Sequence, residues 1–166
     1  MGNLLFSPSG RIDSASFMKG ATLLIIVGVV LGLLPLLSPA LAALGIIGLV
    51  TIWCWVVLWV KRYHDAGQSG WKCLIPIVLY IIAALVVTTI MTPMFTDAVV
   101  AEAMAEAEAS GDIGALMSAA MAGGGITKMG TLIITLVSAA ISYGIAFLFN
   151  NMIKSDPHDN QFGPAT

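Results

Sequence analysis

The stretch KRYHDAGQSGW at residues 61–71 holds the densest set of reactive side chains in the sequence. His64 followed by Asp65 has the composition of a general acid–base pair. His158 followed by Asp159 offers a second such pair. Two imidazoles with two carboxylates form a donor set that a transition metal accepts. Neither pair has a recognised ligand spacing, and neighbouring residues on a helix do not face each other. No G-x-S-x-G, H-E-x-x-H or phosphate-binding loop occurs. The expectation is a non-enzymatic protein with no metal and no cofactor. Cys54 and Cys73 have no zinc or C-x-x-C spacing and read as small buried hydrophobes.

The elements that must position these groups are apolar. The chain has 166 residues, of which 58% are hydrophobic and 10% charged, against about 25% charged in a typical soluble domain. Mean hydropathy is +0.97. So few charges cannot cover a water-exposed surface, so the chain reads as an integral membrane protein. A helix crossing about 30 Å of hydrocarbon needs about 20 apolar residues. Four segments qualify, at 17–37, 41–60, 71–91 and 129–149. The predicted fold is all-α: a four-helix transmembrane bundle forming one domain. A short helical extramembrane insert, about 93–128, separates helices three and four. Pro35 and Pro39 break helical continuity and imply a tight antiparallel hairpin between the first two spans. The small residues of ALA at 40–42 also resemble a signal-peptide cleavage site. The preceding apolar stretch is longer than such a signal uses, so the first span is expected to stay.

Basic residues orient the bundle. Arg11, Lys19, Lys61, Arg62, Lys72 and Lys154 fall on one side, and Lys128 alone on the other. Both termini are therefore expected in the cytoplasm. On this reading KRYHDAGQSGW is a cytoplasmic turn, with Gly67 as the left-handed residue ending a helix and Ser69 capping the next. Trp59 and Trp71 would sit at headgroup level. Within the insert, residues 96–111 read as an alanine-rich helix capped by Thr96 and stopped by Ser110-Gly111. Its carboxylates, Glu102 and Glu106 among them, read as a solvated face. Ile113, Leu116, Met117 and Met121 then share one face of a second short helix.

Three stretches together resemble a known family. These are KRYHDAGQSGW, FSPSGRIDSASF at 6–17 (Gly10, Arg11, Ile12, Phe17) and NQFGP at 160–164 (Asn160, Phe162, Gly163, Pro164). The pattern is similar to that of small bacterial inner-membrane proteins catalogued as domain of unknown function 805. The resemblance covers nearly the whole chain apart from roughly residues 93–128. Departures are Asp13-Ser14, where a basic or polar pair is usual, and Lys72, where a second aromatic is common. The resemblance implies a multi-pass inner-membrane location and no established reaction.

If all three motifs share one face, Arg11, Lys61, Arg62, His64, Asp65 and Asn160 form a polar layer at the inner leaflet. One account is structural: Arg11 pairs with Asp65, and Asn160 and the glycines lock the termini under the bundle. Another is functional: the layer contacts lipid phosphate or a protein partner. The expected partners are membrane lipids and another membrane protein or a second copy of the chain, with no nucleic acid. The alternative function is a small oligomeric transporter or channel. Intramembrane ionisable groups usually mark such pathways, and the middle of each span has none. The hydroxyls of Thr135, Ser138 and Ser142 share a face of the fourth span, and Gly28 and Gly32 form a G-x-x-x-G in the first. Both patterns read as helix packing.

Overall fold

The computed structural model describes residues 5–121 and 124–166, without the side chains of Pro39, Ala120 and Met121. Among the described residues there are six α-helices and no β-strand: α1 Ser14–Leu33, α2 Ile47–Asp65, α3 Leu74–Phe95, α4 Ala98–Ser110, α5 Ile113–Met121 and α6 Lys128–Met152. Short 3-10 turns at Leu34–Leu36, Pro39–Ile46 and Gly70–Cys73 complete the hairpins. Four segments are long and apolar enough to cross a membrane: Ser14–Leu36, Ala40–Asp65, Gly70–Phe95 and Lys128–Met152. Only 6–22% of each apolar window is buried within the protein. Lipid must cover the rest, since water would not tolerate so much exposed hydrocarbon. The chain is a multi-pass membrane protein.

Local chemistry explains the boundaries. The Asp13 carboxylate accepts from the Ser16 amide at 3.1 Å and starts α1. Thr127 does the same for Gly130 at the start of α6, also at 3.1 Å. Such caps satisfy amides that lack an intrahelical acceptor. Pro35 and Pro39 sit in the 3-10 turns that reverse the chain. Gly67, at φ +66°, ends the α2 turn in the left-handed region.

The helices pack in the order α2, α1, α6, α3. Their shared core lies in one half of the bundle. Phe17, Ala21 and Leu24 form the inward stripe of α1, at the spacing of one helix face. They meet Cys54, Leu58, Trp59 and Tyr63 of α2 and Ala146 of α6. Gly20 permits the close approach of α1 and α2, because a Cβ there would lie 2.8 Å from Leu58 Cδ2. Toward the other end α3 exposes Ile81, Leu85 and Ile90.

Several sequence expectations need correction. Lys61–Asp65 are not part of a turn: they complete the last turns of α2. There Arg62 and Asp65, three apart, face inward. Trp59 does not present its ring to the surroundings as an interfacial anchor would: it is buried, with its ring 4.5 Å from that of Phe17 and edge-on to Phe149. Trp71 is 81% exposed. Ser69 precedes a 3-10 turn and its hydroxyl makes no capping bond. In the insert Asp97, not Thr96, caps α4, accepting from the Val99 amide, while Thr96 bonds back to the Thr92 carbonyl. A carboxylate placed one residue later reaches the free amides better than the Thr96 hydroxyl, which is taken by its own helix. Ser110 and Gly111 end α4, with Gly111 at φ +71°. Ile113 and Met117 of α5 are exposed and Leu116 is half-buried. The Met121 side chain lies outside the described residues.

The insert is tied at its base. The Asp97 amide donates to Gly125, and the Thr127 amide to Phe95. Gly130 lets α6 begin against α3: a Cβ there would fall on Phe95 Cβ and 2.9 Å from its Cγ. Overpacking of that kind costs about 1–3 kcal/mol. Gly130→Val should therefore lower the thermal midpoint in detergent, whereas Gly144→Val, which meets nothing within 4 Å, should leave it unchanged.

Candidate functional site

The three sequence motifs meet at the end of the bundle where α1 starts and α2 and α6 finish. Asp65 lies at the centre, with no exposed surface. Arg62 approaches from one turn earlier on the same helix, its Nη1 2.8 Å from Asp65 Oδ2. Arg11 approaches from the segment before α1, its Nε 3.2 Å from Asp65 Oδ1. The Thr166 hydroxyl donates to the same oxygen at 2.6 Å. Both guanidiniums are buried: side-chain exposure is 1% for Arg11 and 2% for Arg62.

A guanidinium has five N–H donors, and in both arginines each donor has an acceptor within this chain. Arg62 Nε donates to Asn150 Oδ1 at 2.6 Å and Nη1 to Asp65 and to the Ser155 hydroxyl. Its Nη2 donates to the carbonyls of Asn150 and Ile153. Those carbonyls lie in the last turn of α6 and just beyond it. Cations are favoured there because the last carbonyls of a helix lack intrahelical donors. Arg11 Nη1 donates to the carbonyls of His158 and Gly163, at 2.7 and 3.3 Å. Its Nη2 donates to those of Asp65 and Asp156, at 3.2 and 2.6 Å. One arginine thus ties α2 to α6, and the other ties both chain ends to α2.

The tail is shaped to supply these acceptors. Asn160 and Gly163 exchange backbone hydrogen bonds around a tight turn, with Gly163 at φ +143°. The Asn160 side-chain amide donates to the His64 carbonyl, and its oxygen accepts from the Phe162 amide. The Asp156 amide donates to the Asp65 carbonyl at 2.8 Å. The backbone amide of His158 and the side-chain amide of Asn160 hold the Asp156 carboxyl below its usual range. The Ser16 contact does the same for Asp13. Each lowered carboxylate favours the folded chain above the ordinary carboxylate pKa, and that contribution is lost as pH falls through the lowered value.

Of the residues singled out in the sequence, Arg11, Arg62, Asp65 and Asn160 form one network, with Arg11 paired to Asp65 as expected. Lys61 is buried nearby at the end of α2. His64 belongs to the network through its carbonyl. Its ring turns away from Asp65 and faces Gly10 and Phe162. His158 contributes its backbone, its carbonyl accepting from Arg11 and its amide donating to the Asp156 carboxylate. Among the described residues no group of three or more His, Cys, Asp or Glu side chains could hold a metal ion. In the bundle interior Gly32 packs against Thr135, where a Cβ would lie 3.2 Å away. A Cβ at Gly28 would meet nothing within 4 Å; this glycine borders a cavity of about 360 Å³ with Thr51, Ser138 and Ser142.

Sequence reasoning missed Asn150, Ser14 and Ser155, and saw Phe162 only as part of a motif. Asn150 is 3% exposed and bridges Arg62 to Ser14, donating to the Ser14 hydroxyl at 2.7 Å. Its signal was present: an asparagine one residue beyond the fourth apolar run, still at helical spacing from Ala146.

The chain matches the family described as "Protein of unknown function (DUF805)" over residues 5–164. It belongs to that family. Searches of curated proteins and of solved structures gave no match. The match runs from before α1 to the tail turn, so it encloses all four spans.

Proposed function

We propose that this DUF805 protein is a non-enzymatic scaffold or accessory protein of the bacterial inner membrane. Both termini lie in the cytoplasm, the acidic α4–α5 insert lies in the periplasm, and its partners are lipids and a second membrane protein. The observation that carries this reading is the complete internal use of both buried guanidiniums. An anion-binding or catalytic arginine keeps donors for its ligand; these two hold the fold. The layer is then a clasp, and the surfaces left for partners are the lipid-facing helices and the exposed insert.

The transporter alternative draws on the cavity bordered by Thr51, Thr135, Ser138 and Ser142. Its described lining has no aspartate, glutamate, lysine, arginine or histidine, which counts against a pathway for ions or protons. Reconstituted in liposomes, the protein should carry protons, potassium and chloride no faster than empty vesicles do. Saturable flux abolished by Ser138→Leu would replace the scaffold reading with a transporter. The orientation is checked separately. A reporter fused after Thr166 should be active in the cytoplasm, and one placed between Gly111 and Asp112 in the periplasm. The reverse pattern refutes the assigned sidedness.

A further inference from the structure

His64 is held in one orientation and leaves one nitrogen available. Its Nδ1 lies 3.3 Å from the Gly10 carbonyl. A carbonyl only accepts, so Nδ1 carries the proton and Nε2 of the neutral ring is an acceptor. The ring stacks on Phe162, with centroids 3.8 Å apart and planes within 4°. Gly70 faces Nε2, and a Cβ there would lie 3.0 Å from it and 2.9 Å from Val60 Cγ1. Glycine at 70 thus keeps the nitrogen uncovered.

His64 and Gly70 line an open pocket of about 530 Å³. Pro8, Ser69, Trp71 and Gln161 surround its polar end, and it runs along α2 to Val56. Val56 also borders a second cavity, of about 230 Å³, in the cleft between α2 and α3. That cleft is walled by Trp55, Trp59, Ile77, Tyr80 and Ile81. From His64 to Val56 a helix rises about 12 Å. The two spaces therefore adjoin across Val56, the open one at the clasp end, where Trp71 is exposed, and the cleft further along α2. The first offers a fixed acceptor and the second a largely apolar slot.

We infer that these two adjoining spaces together bind one membrane phospholipid whose headgroup carries an N–H or O–H donor. The headgroup donates to His64 Nε2 and one acyl chain lies in the α2–α3 cleft. A phospholipid has that sequence of polarity along its length, and it is the molecule that surrounds the cleft. Recognition through the lipid's own donor also fits the arginines, whose donors are all occupied. Ethanolamine and glycerol headgroups have such a donor, whereas choline has none. The inference rests on the clasp end lying among headgroups, as the scaffold reading places it.

The test is native mass spectrometry of purified protein given phosphatidylethanolamine, phosphatidylglycerol or phosphatidylcholine with identical acyl chains. The wild type should keep one of the first two at least about tenfold better than the third, the ratio for about 1.4 kcal/mol. His64→Phe preserves a ring to stack on Phe162 and should reduce that preference to none. Ile81→Trp, at an exposed position in the cleft, should weaken retention of all three lipids. Equal retention of the three lipids by the wild type overturns the inference, as does a preference that survives His64→Phe. Should His64→Phe fail to fold, the Ile81→Trp result and the headgroup preference of the wild type still decide. The liposome flux result is independent, so failure here leaves the scaffold reading intact.

Discussion

Replacing Asp65 with alanine is expected to destabilise the protein by about 3–5 kcal/mol, the cost of removing one partner from a buried ion pair. The Asp65 carboxylate is fully buried and is the only anion directly paired with Arg11 and Arg62 among the described residues. Without it neither buried guanidinium has a directly paired carboxylate, and burial of a poorly paired charge is far costlier than loss of a hydrogen bond. The measurement is equilibrium unfolding in mixed micelles, with Asp65→Asn alongside. Asparagine retains an acceptor and the shape but not the charge, so it should also be strongly destabilised. Limited proteolysis should show the tail beyond Lys154 cut faster, because Arg11 and the Asp65 carbonyl hold it. A loss under about 1 kcal/mol in Asp65→Ala, the size of an exposed ion pair, would mean that the network contributes little to the fold.

The second large effect is expected at Arg62. Arg62→Met keeps a long apolar stem and removes the charge and every donor. Asp65 retains Arg11, so the net charge of the centre is balanced. The loss is in the bonds to Asn150, Ser155 and Ile153, which join α2 to the end of α6. Bonds to a charged group contribute about 1.5–3 kcal/mol each, and their acceptors would remain buried. The same unfolding assay should show a total loss of about 3 kcal/mol, the lower bound for breaking a buried pair. Combined with Asp65→Ala, the cost should fall short of the sum of the single variants by about 0.5–3 kcal/mol, because the two residues contact each other. Strict additivity would show that they act separately. Lipid retained per folded molecule should not change in Arg62→Met, since Arg62 has no donor left for a phosphate. Loss of anionic lipid with the fold intact would instead favour the headgroup-contact account of the layer.

Which residues were legible in advance follows from the range over which each is determined. Hydrocarbon length is a local sum, so the four spans could be counted along the chain. Their ends were less clear. Met152 extends the fourth helix three residues past Phe149, and Asp65 extends the second five past Val60. In both cases polar residues continue the helix because other segments accept from them or donate to them, which no local window records. Trp59 illustrates the same limit: a tryptophan near a span end reads as interfacial, yet Phe17 and Phe149 close over it.

The order of residues was enough to indicate a lipid solvent, to count four segments long and apolar enough to cross it, and to raise the expectation that the three motifs share one end. Those properties depend on the transfer energy of consecutive residues and on charges counted along the chain. Which donor meets which acceptor emerged from the packed helices alone. Arg62 turns inward to Asn150 and Ile153, Arg11 gathers the tail, and His64 turns from Asp65 toward Gly10 and Phe162. Arg11 and its partners lie 54 to 152 residues apart. Such pairings follow from how four helices and two chain ends pack together, which depends on the whole bundle at once.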